Sequence, residues 1–163
     1  MNRNEEESGL TNIRSVLFVC MGNICRSPTA EAVFRQKALA AGMAIQFDSA
    51  GTIGYHQGNL PDPRAVIAGK RRGLQFDGMK ARQVVEEDFH RFDLILAADK
   101  DNLRELKRRC PIQYQHKLGL VLSFTDGDYD EVPDPYYGGD DGFELVLDLL
   151  AQSADNFMRK IKS

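Results

Sequence analysis

Short apolar runs alternate along this chain with longer segments whose apolar residues recur at helical spacing. The apolar runs have the length of β-strands and lie at residues 14–20, 45–48, 93–97 and 118–122. Strands that alternate with helices are typical of a parallel sheet, because each crossover between parallel strands needs a helix. The pattern predicts a single α/β domain with a four-stranded parallel sheet that is covered by helices on both faces.

Residues that typically begin helices mark the first positions of two predicted helices. Ser27 is suited to the N-cap of the first helix and Pro28 to its first position. Asp62 and Pro63 open a second helix in the same way. Further helices are predicted at residues 86–89 and 99–109. Apolar residues that recur in alternating steps of four and three predict a last helix at residues 143–161.

Composition and charge exclude several classes of protein. The net charge of the 163 residues is −3, which gives no general attraction for nucleic acid. No apolar run approaches the roughly 20 residues that cross a bilayer, so we expect no membrane insertion. Residues 1–13 are predicted to be a disordered tail and residues 14–163 the domain. Residues 1–12 are polar and acidic and lack the apolar core of a signal peptide, so we expect a cytoplasmic protein. Three cysteines, an odd number, do not form a disulfide framework, and we expect free thiols in that compartment.

The candidate chemistry lies in the loop that follows the first predicted strand. Cys20 and Arg26 flank five residues, which are Met21, Gly22, Asn23, Ile24 and Cys25. A tight loop between a strand and a helix N-terminus directs backbone N–H groups at a tetrahedral oxyanion. The sequence therefore predicts a phosphate-binding loop after the first strand, with Cys20 placed to attack the bound anion.

The Cys20 thiol needs help to act as a nucleophile. A free thiol has a pKa of about 8.5, and lowering it by about two units takes about 3 kcal/mol. A helix N-terminus alone contributes ~0.3–1 kcal/mol. We therefore expect Arg26, the loop N–H groups and the Ser27 hydroxyl to share this role, and Arg26 to hold two phosphoryl oxygens.

Attack on a phosphate ester also needs an acid that protonates the leaving oxygen. The segment 123–139 is long, acidic and rich in Pro and Gly, which favours a functional loop. Asp134 lies in it between two prolines that stiffen the backbone, and is the candidate acid.

No metal or cofactor is predicted. Asp126, Asp128 and Asp130 alternate as in a calcium loop, but Glu131 stands where that loop needs glycine. The three histidines have no metal-ligand spacing and are His56, His90 and His116.

Together these residues resemble the low-molecular-weight protein tyrosine phosphatase family. The likeness rests first on the loop at 19–28 and on Asp134-Pro135-Tyr136. It continues in order through residues 29–32, 48–51, 81–83 and 99–103, and it spans about residues 14–162.

The resemblance implies a metal-independent enzyme that acts on phosphotyrosine-containing proteins in two steps. Cys20 would attack the phosphorus while Asp134 protonates the phenol. Asp134 would then activate a water against the cysteinyl-phosphate, and inorganic phosphate would leave. Arg26 would hold the phosphoryl oxygens and Ser27 would stabilise the thiolate.

The resemblance also implies supporting roles. Asn23 and Ser49 would form a hydrogen-bonded pair that shapes the loop, and Cys25 would be the reversible disulfide partner of Cys20 under peroxide. The rim of a slot for the phenyl ring would be formed by Tyr55, Tyr136 and Tyr137. Many relatives carry histidine where this chain has Met79, so we expect the outer support of the loop to be built differently.

Three alternatives stay open at this point. A thiol-dependent arsenate reductase on the same scaffold needs further cysteines, and only Cys110 lies beyond the loop. An arginine phosphatase typically has threonine at the place of Ile24, whose bulk favours a flat phenyl ester. A non-catalytic oxyanion-binding module would be expected to lack the nucleophile or the acid, and both are present.

Overall fold

The computed structural model describes residues 12–125, 127–135 and 139–162, with the main chain only at 139, 140 and 162. Its parallel sheet has the order β2–β1–β3–β4. The strands are β1 (Ser15–Cys20), β2 (Gln46–Gly51), β3 (Leu94–Ala97) and β4 (Leu118–Leu120). The predicted four-stranded parallel sheet is confirmed. Most of the predicted tail, residues 1–11, lies outside the described residues.

Helices follow the strands, and acidic side chains cap two of them, one at the predicted start Asp62 and one at Asp99. The Asp62 side chain accepts a hydrogen bond from the backbone N–H of Arg64, and the Asp99 side chain accepts one from Asn102. The α-helices are α1 (Arg26–Ala40), α2 (Pro63–Lys70), α3 (Glu86–Arg91), α4 (Lys100–Arg109) and α5 (Gly139–Lys162). Short 3₁₀ helices span Ile112–Lys117 and Val121–Phe124.

Strand β1 is the centre of two apolar cores, one on each face of the sheet. All six of its residues are buried. Val16 and Phe18 pack with residues of α1, α2 and α5, whereas Leu17 and Val19 pack with residues of α3 and α4. Successive side chains of a strand point to opposite faces, so a continuous apolar run is what a doubly covered strand needs.

Three local predictions are corrected. Strand β2 continues to Gly51, because the backbone of residues 82–84 hydrogen bonds to Gly51 from the edge. Strand β4 ends at Leu120, where the chain turns into a 3₁₀ helix. Ser27 is not the N-cap of α1: the helix begins at Arg26 with Cys25 as the cap, and the Ser27 hydroxyl faces Cys20.

The topology places a crevice at the carboxyl end of β1. From β1 the chain first moves to β2 on one side, and it later returns to β3 on the other side. Ligands of open α/β sheets bind where the strand order reverses in this way. The loop at residues 21–25 leaves β1 at this point. Within the described residues, no helix combines the length and apolar composition that crossing a bilayer requires.

The larger core depends on Phe34 of α1, which is fully buried and lies 4.7 Å from the Phe18 ring and 5.5 Å from the Phe157 ring. We expect Phe34→Ala to lower the free energy of unfolding by about 3–5 kcal/mol, since it removes a ring and leaves a cavity. Urea unfolding measures this. The control is Leu39→Ala on the exposed side of the same helix, for which we expect a change within about 0.5 kcal/mol.

Candidate active site

The loop after β1 bonds to the scaffold through its carbonyl oxygens and leaves its backbone N–H groups without partners in the described chain. Its carbonyl oxygens are taken by the scaffold: Cys20 O accepts from Thr52 N at 2.9 Å, Met21 O from Ile53 N at 3.1 Å and Ile24 O from Asp62 N at 2.6 Å. None of the backbone N–H groups of residues 21–25 donates to another part of the described chain. The loop therefore presents a group of donors that suits a tetrahedral anion.

Close backbone approaches explain the small residues in and beside the loop. A Cβ at Gly51 would lie 2.6 Å from the carbonyl oxygen of Met21, so only glycine lets β2 run this close to the loop. A Cβ at Gly22 would lie 2.9 Å from the His56 ring. Asn23 adopts the left-handed region with φ of 57°, which asparagine tolerates better than most residues.

The Cys20 thiol is buried at the base of the loop and lies beside a hydroxyl. Its Sγ is 3.0 Å from Ser27 Oγ, which in turn accepts a hydrogen bond from Asn23 Nδ2 at 2.9 Å. Because an amide nitrogen can only donate, Ser27 keeps its own hydrogen, and the sulfur at 3.0 Å and the Ala50 carbonyl oxygen at 3.5 Å are its neighbouring acceptors. The structure thus brings together the predicted nucleophile and its predicted stabilising hydroxyl.

Arg26 is held along one edge of its guanidinium group. Nη1 donates to Asp99 Oδ2 at 3.0 Å and to the carbonyl oxygen of Val132 at 2.9 Å. Within the described chain these bonds all use Nη1, so Nε and Nη2 remain for an anion in the crevice. A second arrangement of the side chain would leave the Asp99 carboxylate, which is only 21% exposed, without its ion pair.

The distal loop reaches the crevice through Val132. The backbone N–H of Val132 donates to the carbonyl oxygen of Ala98, just beyond β3, and its own carbonyl accepts from Arg26. Asp134, two residues further on, lines the same cleft as Cys20. This cleft has a volume of about 240 Å³ and is lined by Cys20, Met21, Gly22, Ile24, Cys25, Arg26, His56, Asp134 and Pro135.

The predicted rim is described only in part. Tyr55 is 84% exposed and packs edge-on against the ring of His56, which itself lines the cleft. Tyr136 and Tyr137 lie outside the described residues. Sequence analysis missed His56, although its position beside Tyr55 in a loop that follows β2 was a signal that could have suggested it.

The Asn23 side chain is the inner support of the loop. Its Nδ2 donates to Ser49 Oγ at 3.0 Å as well as to Ser27, and its Oδ1 accepts from the backbone N–H of Arg82 at 3.0 Å. The Arg82 side chain pairs with the carboxylates of Asp48 and Asp88. The predicted contact between Asn23 and Ser49 is therefore present, and Arg82 is a partner that sequence spacing did not reveal.

Comparison with known proteins agrees with this geometry. The family model described as "Low molecular weight phosphotyrosine protein phosphatase" matches residues 15–163. The chain belongs to this family. The human low molecular weight phosphotyrosine protein phosphatase is 42% identical over 154 residues, which cover 90% of this chain and 95% of that protein. Low molecular weight protein-tyrosine-phosphatase YfkJ of Bacillus subtilis is 42% identical over 151 residues, which cover 91% and 96%.

Solved structures show the same fold. A crystal structure of protein tyrosine phosphatase from Entamoeba histolytica, with Hepes in its active site, superposes with a TM-score of 0.88 at 45% identity and covers 91% of this chain and 97% of that chain. The crystal structure of YfkJ superposes with a TM-score of 0.86.

The side chain of Met79, where the resemblance led us to expect a different outer support of the loop, is buried. Met79 borders a cavity of about 340 Å³ together with Ser49 and Glu31. The Ser49 hydroxyl donates to Glu31 Oε1 at 2.9 Å, and Glu31 Oε2 pairs with Arg35. The outer support of the loop therefore ends on a carboxylate, which sequence analysis did not identify.

The other two cysteines lie in different environments. Burial raises the pKa of the Cys25 thiol well above its usual range, and charges at Cys20 and Asp62 raise it further against the opposing effect of Arg26. Cys110 belongs to the core on the opposite face of the sheet from Cys20 and Cys25. Burial also raises the pKa of Cys110. Among the described residues, no group of three or more His, Cys, Asp or Glu side chains is arranged to hold a metal ion.

We expect these environments to make the thiols react at different rates. Iodoacetamide at pH 7.5 should alkylate Cys20 at least about ten times faster than Cys25, because only a thiolate reacts and burial keeps Cys25 protonated. Peptide mass mapping of the native protein measures both rates. In urea, where burial is lost, all three cysteines should react at similar rates. Equal labelling of Cys20 and Cys25 in the native protein would contradict the assignment.

Proposed function

We propose that this member of the low molecular weight family is a metal-independent protein tyrosine phosphatase. It hydrolyses phosphotyrosine in proteins, and simpler aryl phosphate monoesters, through a cysteinyl-phosphate intermediate. One observation carries the proposal: Cys20, Arg26 and Asp134 line one cleft, together with a loop whose N–H groups have no partner in the described chain.

In the first step the phosphoryl group binds with its oxygens toward the N–H groups of residues 21–25 and toward Arg26. Cys20 Sγ attacks the phosphorus and the bond from phosphorus to the phenol oxygen breaks. Asp134 gives its proton to that oxygen, so that tyrosine leaves as a neutral phenol. The loop and Arg26 stabilise the negative charge that the equatorial oxygens carry in the transition state.

In the second step Asp134 acts as a base. It takes a proton from a water that attacks the phosphorus, and the bond between sulfur and phosphorus breaks. Cys20 leaves as a thiolate, which the Ser27 hydroxyl stabilises from 3.0 Å. Inorganic phosphate is the product, and Asp134 is again protonated for the next cycle.

The surroundings of the cleft favour an aryl phosphate over the alternatives. Ile24 and the His56 ring give it apolar and aromatic walls, and Tyr55 lies behind His56. A thiol-dependent arsenate reductase would need Cys110 to reach Cys20, and these residues lie on opposite faces of the sheet. The rim roles of Tyr136 and Tyr137 remain part of this proposal.

The proposal extends to regulation by peroxide and to cellular location. Peroxide would oxidise Cys20 to a sulfenic acid, and Cys25 would then form a disulfide with it while water leaves. A thiol reductant would restore both cysteines. The three cysteines are free thiols, which supports the predicted cytoplasmic location, and the family match over residues 15–163 supports one domain after a short tail.

The catalytic assignment is tested on a phosphotyrosine peptide in the presence of a metal chelator. Cys20→Ser should lower kcat by more than about a thousandfold, since it removes the nucleophile. Asp134→Asn should lower kcat by about 100- to 10,000-fold. The Asp134 effect should be much smaller on an aryl phosphate with an acidic phenol, because that leaving group needs no proton. When the reaction of Asp134→Asn with its substrate is quenched rapidly, the peptide that contains Cys20 should carry a phosphoryl group.

The other candidate functions give different outcomes in the same assay. Phosphoserine and phosphoarginine peptides should be poor substrates, and arsenate should not be reduced. Full activity of Cys20→Ser, or activity that the chelator abolishes, would disprove the proposed mechanism.

Recovery from oxidation tests the role of Cys25. After peroxide treatment and then dithiothreitol, we expect the wild type to regain most of its activity. Cys25→Ser should regain much less, because its Cys20 continues to the irreversible sulfinic acid. Equal recovery of both proteins would rule out the protective disulfide.

A further inference from the structure

A continuous run of buried polar side chains leads from Cys20 away from the cleft. Each member is at most 6% exposed. The successive contacts are 3.0 Å from Cys20 Sγ to Ser27 Oγ, 2.9 Å from Ser27 Oγ to Asn23 Nδ2, 3.0 Å from Asn23 Nδ2 to Ser49 Oγ and 2.9 Å from Ser49 Oγ to Glu31 Oε1. The run therefore joins the thiol to a carboxylate on helix α1.

The directions of the hydrogen bonds that Asn23 and Ser49 make in this run are fixed. The backbone N–H of Arg82 donates to Asn23 Oδ1, so the amide nitrogen of Asn23 must face the two hydroxyls. An amide nitrogen only donates, so Ser49 and Ser27 both accept from it. Each hydroxyl has one hydrogen left to donate. Ser49 donates it to Glu31, and Ser27 has it available for Cys20.

From this arrangement we infer that Glu31 is a positioning residue for the thiol step: its carboxylate accepts the Ser49 hydrogen and thereby keeps Asn23, and through it the Ser27 hydroxyl, aligned on Cys20. The inference rests on the proposed role of Cys20 as the nucleophile. It assigns to Glu31 a role that the loop motif alone does not include.

The loss of the Glu31 acceptor has a defined consequence. The Ser49 hydroxyl would have to turn toward another acceptor, and Asn23 would lose one of its two hydroxyl partners. An amide that is less well held aligns Ser27 less well, and the Ala50 carbonyl oxygen lies 3.5 Å from Ser27 Oγ as a competing acceptor. The Ser27 hydrogen would then be shared with Ala50, and the thiolate of Cys20 would be less stable.

The environment of Glu31 is consistent with this role. Arg35 pairs with its second oxygen and also donates to the carbonyl oxygen of Phe47 at 3.2 Å, which keeps a positive charge next to the buried carboxylate. Burial raises the pKa of Glu31, while the hydrogen bonds from Arg35 and Ser49 oppose that rise. The nearby Met79 side chain has no oxygen or nitrogen, so it does not compete for the Ser49 hydrogen.

The test measures how fast iodoacetamide alkylates Cys20 as a function of pH, with the modified peptide identified by mass. This rate follows the thiolate population and does not depend on phosphatase turnover. In Glu31→Leu the profile should shift to higher pH by about one unit, so that alkylation at pH 6 is about tenfold slower. Glu31→Gln keeps an oxygen acceptor for Ser49 and should stay within about threefold of the wild type.

A double-mutant cycle separates positioning from a general effect on packing. Ser49→Ala breaks the same run one residue nearer to Cys20, and should shift the profile by a similar amount. The double variant Glu31→Leu/Ser49→Ala should be no slower than Ser49→Ala alone, because both changes interrupt one pathway. Met79→Leu alters the same cavity without changing a hydrogen bond, and its profile should match the wild type.

Two outcomes would overturn the inference: a folded Glu31→Leu with an unshifted profile, or shifts in the double variant that add. If Glu31→Leu does not fold, Ser49→Ala decides in its place, and an unshifted profile for Ser49→Ala overturns the inference equally. The proposed function fails by a separate result, which is retained turnover in Cys20→Ser, so the two failures are distinguishable.

Discussion

The outward direction of the carbonyl groups in the loop after β1 is the constraint on which the site depends. Three of these carbonyls accept hydrogen bonds from residues 52, 53 and 62. Because a planar peptide points its N–H away from its C=O, these bonds turn the N–H groups of the loop toward the crevice. An anion-binding site made from backbone donors is rigid when the scaffold holds the opposite side of its peptides, and here the scaffold holds the carbonyls of Cys20, Met21 and Ile24.

The scaffold can do this because β1 lies inside the sheet. The strand is buried on both faces and paired on both edges, so its last residue, Cys20, has little freedom. Strand β2 runs beside it as far as Gly51, where the lack of a side chain lets the two backbones meet. Strand β3 leads to Ala98, where the distal loop is fastened through Val132. The proposed nucleophile, the arginine and the proposed acid therefore reach one cleft from different parts of the chain.

The two cysteines Cys20 and Cys25 show how the surroundings of a thiol determine its properties. They are five positions apart and both are buried. Cys20 Sγ lies 3.0 Å from the Ser27 hydroxyl, whereas the pKa of Cys25 is raised by burial and by negative charge. The same side chain thus lies beside a hydroxyl in one position, and in the other its surroundings raise its pKa.

Much of this protein is determined by local sequence. Alternation of apolar strands and helices predicted the doubly covered parallel sheet, because a strand buried on both faces must be apolar throughout. The spacing of Cys20, Asn23, Arg26 and Ser27 predicted the loop, because these residues are close together in the sequence. Sequence spacing could not predict which residues hold the loop in place. The hydrogen bonds of Asp99, Val132, Arg82 and Glu31 that hold it join residues 18 to 106 positions apart, through contacts that have no periodicity. The same reason explains why the predicted β2 was too short, since a distant segment at Gln83 pairs with its end at Gly51. It also explains why a helix cap was predicted at Ser27, because only the tertiary structure places the Ser27 hydroxyl beside Cys20.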